Sequence, residues 1–161
     1  MTLRDARPDD LDALVELERA CYPPQQAYSR EEYRYALTKA KAVNIVFADP
    51  RIRGTLVPTH DVRTITGFVG AFHHRTHRLG HVYTVNVHPK ERGRGLGRIL
   101  MAACEERLRG LGMRRCALEV NVENEDAIRL YERAGYARVE RLKDYYTQYR
   151  VNDAFLYVKD L

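Results

Sequence analysis

Along this chain the apolar residues change period repeatedly, and each change marks an element. Thr2 to Ala6 reads as a short strand. Leu11, Leu14, Val15 and Cys21 then recur at helical spacing behind Pro8, Asp9 and Asp10. Proline suits a first helical turn, and the acids complement its dipole. The stretch Tyr22-Pro23-Pro24-Gln25-Gln26-Ala27-Tyr28 breaks that helix. Ser29 with Glu32 makes a capping box for a second helix carrying Tyr33 and Leu37. Val43 to Ala48 and Thr64 to Phe72 read as a hairpin. The polar connection between them, Asp49 to Arg63, holds Pro50, Gly54 and Pro58. It is expected to be an exposed, mobile loop with a short strand at Thr55-Leu56-Val57.

The most informative change of period lies in His81 to Leu100. Val82, Thr84, Val85 and Val87 belong to a β-branched run that Pro89 stops. Arg92-Gly93-Arg94-Gly95-Leu96-Gly97 follows, and Leu96, Ile99, Leu100, Ala103 and Leu108 then take helical spacing. A strand, a glycine-rich turn and a helix start make an anion site, because the first helical amides lack internal partners. The glycines let the backbone approach a phosphate closely. No Gly-Lys-Ser/Thr ending marks a P-loop, and the glycine spacing is not that of a dinucleotide fold. A basic Arg-Gly tract for RNA, or a plain turn, fits these six residues as well.

Arg114 to Val120 reads as the next strand. Asn124 then caps a helix whose first turn holds Glu125 and Asp126. Ala127, Ile128, Leu130, Tyr131 and Ala134 form its apolar side, and Gly135 is its stop. Tyr136 to Leu142 and Ala154 to Val158 are two closing strands, joined by Lys143 to Asp153 with Tyr145 and Tyr146. This order predicts an α+β fold in αβα layers, with a mixed sheet.

Composition narrows the class. A chain of 161 residues with 45% hydrophobic residues is expected to be one domain with a real core. No apolar run approaches a membrane span, and the N-terminus lacks the apolar stretch of a secretory signal. Cys21, Cys104 and Cys116 are odd in number and read as reduced residues of a cytoplasmic protein. The net charge is +5, and Arg accounts for 22 of the 27 basic residues. They are scattered along the chain, which argues against nucleic acid as the primary ligand and for a polyanionic cofactor. His73, His74, His77 and His81 cluster without a nearby Cys or paired acid, and read as solvated loop histidines, not a metal site.

Arg92, Gly95 and Gly97 resemble the Arg/Gln-x-x-Gly-x-Gly/Ala signature of the GNAT N-acetyltransferase family. Leu118-Glu119-Val120, Asn124, Ala127, Leu130-Tyr131 and Gly135-Tyr136 are similar to the pattern of its ribosomal-protein-alanine and protein N-terminal acetyltransferase branch. The resemblance implies the acyl-CoA N-acyltransferase fold, a mixed, mostly antiparallel sheet of six to seven strands flanked by four helices. It implies acetyl-CoA as cosubstrate, without a metal. Cofactor contacts would come from Val85, Val87, Arg92, Gly93, Arg94, Gly95, Leu96, Gly97, Arg98, Asn124 and Tyr131, with the Val87 amide facing the acetyl carbonyl.

The same resemblance makes Glu119 the general base and Tyr131 the acid, or a hydrogen-bond donor to the thiolate. From the residues alone, Glu119 is a strand-end glutamate, Tyr131 a core tyrosine and Asn124 a cap. Phenol titrates near 10 and a thiol near 8.5, so full proton transfer from Tyr131 is uphill unless the site shifts them. Tyr22, Tyr28, Tyr145 and Tyr146 would wall the acceptor, expected to be a protein or peptide N-terminus, ribosomal proteins included. Acetylation of a small amine or a lysine, and a non-catalytic acetyl-CoA sensor, are the competing readings.

Overall fold

The computed structural model describes residues 2–53 and 63–161, with side chains excluded at 49–53, 63 and 64. Its strands are β1 (Thr2–Asp5), β2 (Ala42–Arg53), β3 (Arg63–His74), β4 (Leu79–Val87), β5 (Arg115–Asn121), β6 (Ala137–Leu142) and β7 (Ala154–Asp160). The helices are α1 (Leu11–Cys21), α2 (Arg30–Thr38), α3 (Leu96–Gly110) and α4 (Glu125–Arg133). Seven strands form one sheet in the order β1-β2-β3-β4-β5-β7-β6. Among the described residues every pairing is antiparallel except β4 with β5.

The alternation of side chains across the strands divides the core in two. On one face Leu100, Met101, Cys104 and Leu108 of α3 pack with Tyr131 of α4 over Val69, Leu118 and Tyr157. On the other, Leu14 and Leu17 of α1 and Tyr33 of α2 cover Val46, Ile65 and Phe68. Each such fully buried aliphatic or aromatic side chain contributes about 1.5–3 kcal/mol. The layers are therefore αβα, as the order of elements predicted. Cys104 and Cys116 are free and buried in the first core.

Three expectations are corrected. Pro8–Asp10 form a 3-10 turn, and the α-helix begins only at Leu11. β2 and β3 extend past the predicted strand ends and still pair at Arg53 and Arg63, so the polar connection is shorter than Asp49 to Arg63. The short strand at Thr55–Val57 and the mobility of that loop fall outside the described residues. The histidines are not all solvated loop residues: His73 is buried one residue before the end of β3, and His81 lies within β4. Among the described residues no helix is long and apolar enough to cross a membrane.

Candidate active site

The parallel register of β4 and β5 runs from Leu79 opposite Arg115 to Val82 opposite Leu118, and ends there. A register shift against β3, between Gly70 and Ala71, leaves Tyr83 as an extra residue in β4. Such a bulge bends its strand, and beyond it β4 and β5 splay apart. The His88 N–H bonds the Thr66 carbonyl at 2.9 Å, and Gly67 faces Val87. Antiparallel bonding alternates, so the peptide groups of Val85 and Val87 turn away from β3 into the gap. Consistent with this, the Val87 carbonyl accepts from Arg92 Nε at 3.2 Å and from Cys21 Sγ at 3.4 Å.

The glycine turn follows. Gly93 and Gly95 have φ of 76° and 79°, the left-handed region that other residues enter only with strain. A Cβ at either would meet nothing within 4 Å, so the turn presents bare backbone. α3 starts at once, and its unpaired amides and dipole face the same space. Arg92, Gly93, Gly95, Leu96, Gly97 and Arg98 border a cleft of about 1150 Å³, together with Val85, Val87, Asn124 and Tyr131. Arg94 does not border it and instead pairs with Glu91 at the surface. Asn124 caps α4, accepting from the Ala127 N–H at 3.2 Å.

Glu119 stands on β5 just past the last paired residue, with its side chain 16% exposed. Its Oε2 lies 2.6 Å from His81 Nε2 on β4. Burial pushes the Glu119 carboxyl up, but hydrogen bonds from His81 and Tyr145 and the charge of His81 outweigh it, holding the carboxyl below its ordinary range. Tyr131 is 7% exposed on α4 and borders the cleft, and burial raises its hydroxyl above the usual phenol range. Among the described residues that hydroxyl makes no hydrogen bond.

Two loops wall the other side of the cleft. Tyr22 and Tyr28 come from the α1–α2 connection, and Tyr146 and Tyr149 from the β6–β7 connection. The rings of Tyr146 and Tyr149 pack at 4.8 Å, and Tyr145 meets Tyr146 edge-on at 4.9 Å. Tyr145 does not border the cleft directly; it reaches the site through Glu119. Tyr28 Oη donates to the Tyr83 carbonyl at 3.2 Å, tying the first loop to the bulge.

Reading the residues in order missed three members of this site. Glu18, 1% exposed, accepts from the Tyr28 N–H at 2.9 Å, from Tyr33 Oη at 2.6 Å and from Asn86 Nδ2. It thereby joins the first loop, α2 and β4. His81 and Tyr149 are the others. Glu18 left a trace in the sequence: it sits four residues after Leu14 and three before Cys21, a carboxylate on an apolar stripe. Among the described residues no group of three metal-ligating side chains occurs.

Comparison with known proteins bears on this geometry. The sequence profile described as "Acetyltransferase (GNAT) family" matches residues 11–136. An N-alpha-acetyltransferase of Saccharolobus solfataricus is 29% identical over 168 aligned positions, covering 99% of this chain and 93% of that protein. A mycothiol acetyltransferase of Propionibacterium freudenreichii is 33% identical over 138, covering 83% of this chain but 42% of its own length. The chain thus spans less than half of that relative. In structure, the ribosomal-protein-S18-alanine N-acetyltransferase of Escherichia coli superposes with a TM-score of 0.82 at 19% identity, covering 99% and 92% of the two chains. Arabidopsis thaliana NAA60, solved with acetyl-CoA, gives 0.83 at 23%, covering 99% and 98%. At such identities the likeness is one of fold.

Proposed function

Given that this chain belongs to the acetyltransferase (GNAT) family, we propose that it acetylates the N-terminal α-amine of a protein or peptide, using acetyl-CoA. The observation that carries the reading is Glu119 at the meeting of two features: the splayed, glycine-turned backbone on one side and the tyrosine-walled opening on the other. Free strand amides, a bare left-handed turn and a helix start fit a pantetheine arm and its pyrophosphate. Acetyl-CoA supplies the acetyl group as a thioester when bound.

The chain's own residues have distinct tasks. Gly93, Gly95 and Gly97 with the first turn of α3 hold phosphate oxygens, and Arg98 adds charge at the cleft's edge. The Val87 amide is the donor for the acetyl carbonyl oxygen, where negative charge must be met during transfer. Glu119 takes a proton from the acceptor ammonium, directly or through water, and His81 holds the carboxylate in place. Tyr131, with its hydroxyl unengaged, donates a hydrogen bond to the leaving sulfur. A raised phenol pKa makes full proton transfer less favourable, so the hydrogen bond is its task.

The acceptor class follows from acidity and shape. An α-amine titrates near 8 and a lysine near 10.4, so a carboxylate held below its ordinary range suits the former. Tyr22, Tyr28, Tyr146 and Tyr149 offer apolar faces for a first side chain and hydroxyls for a peptide backbone. A small amine is the second reading, favoured by the mycothiol acetyltransferase relative. Peptides varied at their first two residues, incubated with enzyme and acetyl-CoA, should gain acetyl on the α-amine by fragment mass spectrometry. Transfer to lysines of an N-blocked peptide at the same rate would overturn the reading, and turnover of small amines alone would favour the second.

A further inference from the structure

We infer that the end of the sheet opposite the cleft is a site for the phosphodiester backbone of RNA, built from Arg75, Arg78, Arg109 and Arg114. These four arginines line a second concavity, of about 660 Å³, together with Leu111, Gly112, Met113 and Leu161. β4 and β5 are parallel, so both start at this end and finish at the cleft. None of the four arginines borders the cleft. A ligand held here leaves the transfer site open.

The arginines come from three separate places: the β3–β4 turn, the last turn of α3 and the residue just before β5. The backbone fixes them together. The Arg78 carbonyl accepts from the Arg114 N–H at 2.8 Å and from the Arg115 N–H at 3.2 Å. Arg78 itself has φ of 49°, a left-handed conformation uncommon outside glycine. An arginine held at a turn position that glycine would fill more easily points to a use for its side chain.

Charge gives the class of ligand. All four residues are exposed. Among the described residues only Arg109 has a carboxylate within ion-pair range, Glu105 at 3.5 Å, and that carboxylate also takes Lys159 at 2.6 Å. Arg109 can be explained by the negative end of the α3 dipole. The other three belong to no helix. Guanidinium forks match phosphate oxygens bidentately, and several converging forks match a ligand whose charge recurs along its length. Leu111, 39% exposed, gives a sugar or base an apolar face. The arginine scatter that argued against nucleic acid in the sequence is gathered here by the fold.

Fluorescence anisotropy of the full chain with a labelled single-stranded 20-nucleotide RNA tests this. Four contacts at about 0.7 each give a log–log salt slope of about −3, hence roughly 50-fold weaker binding at 200 mM than at 50 mM KCl. The Arg75→Glu/Arg78→Glu variant should bind at least tenfold more weakly at 50 mM, with the slope reduced to about −1.4. Its melting temperature and its thermal shift with acetyl-CoA should match those of the parent. Arg19→Glu/Arg34→Glu, with the same change of net charge elsewhere, should keep RNA binding. Equal losses in the two variants would reduce the effect to net charge and overturn the site. Competition by polyglutamate as effective as that by unlabelled RNA would assign the surface to an acidic protein instead.

Discussion

His81 Nε2 and Glu119 Oε2 lie 2.6 Å apart across the last paired step of the only parallel strand pair among the described residues. Val82 faces Leu118, so residues 81 and 119 are diagonal neighbours on one face, just where the strands part. The contact holds the carboxylate in one orientation and is among the causes that lower its pKa. The sign of the consequence is fixed. A base must be deprotonated, so activity is lost as pH falls through the Glu119 pKa, and lowering that pKa moves the loss to lower pH. Replacing His81 by Ala should move this acid limb of kcat/KM upward, while Glu119→Gln should cut kcat by about 10²-fold or more. A full pH–rate profile of both variants decides it. An unmoved acid limb in His81→Ala would remove His81 from the mechanism.

Gly95 tests the cofactor turn. Coenzyme A should raise the melting temperature of the parent by ligand linkage. Gly95→Ala must hold an alanine at φ 79°, which costs about 1–2 kcal/mol, yet its Cβ meets nothing within 4 Å. That variant should melt earlier and keep a thermal shift. Gly95→Glu adds a negative charge where phosphate is expected and should abolish the shift. Differential scanning fluorimetry with and without coenzyme A separates the two, with circular dichroism to confirm folding. A full shift in folded Gly95→Glu would exclude the turn as the phosphate site.

Tyr131→Phe removes a hydroxyl that bonds nothing among the described residues. The melting temperature should therefore hold or rise slightly, since no partner is left unsatisfied. If the hydroxyl meets the leaving sulfur only during transfer, kcat should fall by roughly tenfold while the KM for acetyl-CoA stays. Steady-state kinetics at saturating peptide measures this. Wild-type turnover in the variant would leave Tyr131 a core residue.

The order of elements was legible because each boundary has local chemistry: the Ser29–Glu32 capping box, the Asn124 cap and the Gly135 stop all occur as read. The turn at Gly93–Gly97 was legible for the same reason. His81 was not, because its role depends on β4 running parallel to β5, a pairing made across the whole of α3. The arginines at the other end were hidden by the same crossover. Arg92 and Arg94 could not be told apart in the sequence, because the spacing cannot say which of two neighbouring arginines turns outward, and Glu91 takes the Arg94 side chain. Glu18 was visible as an acid on an apolar stripe, but its partners Tyr33 and Asn86 come from two other elements.

Glu18 offers a test of the first loop. Its carboxylate is a pure acceptor for three donors. Glutamine brings one oxygen and an amide that must face Asn86 Nδ2 or the Tyr28 N–H, donor against donor. Leaving a buried polar group unsatisfied costs about 1–3 kcal/mol. Glu18→Gln should therefore melt earlier and loosen the segment from Tyr22 to Tyr28. The peptide KM should rise severalfold, with the KM for acetyl-CoA unchanged. Hydrogen exchange at the Tyr28 amide gives a readout that a general loss of stability would not single out. Equal protection of that amide in both proteins would show that Glu18 does not hold the loop.

The last expectation concerns the acceptor wall. Tyr146 packs between Tyr145 and Tyr149, and its N–H bonds the Asn152 carbonyl at 2.8 Å. The backbone of this loop is thus fixed independently of the ring, so Tyr146→Ala should remove the wall without moving the loop. A peptide N-terminus needs that wall for its first side chain, whereas the proposed acetyl-CoA site, β4 and the glycine turn, is on the other side of Glu119. The peptide KM should rise by tenfold or more for a large first residue and less for alanine or serine, with the KM for acetyl-CoA unchanged. A small amine presents no side chain to the wall, so its KM should respond little. Kinetics with three acceptors, two peptides differing at the first residue and one small amine, distinguish these outcomes. A uniform rise across all three would mean that Tyr146 supports Glu119 through Tyr145 instead of reading the acceptor, and the pH profile of the same variant would then shift as in His81→Ala.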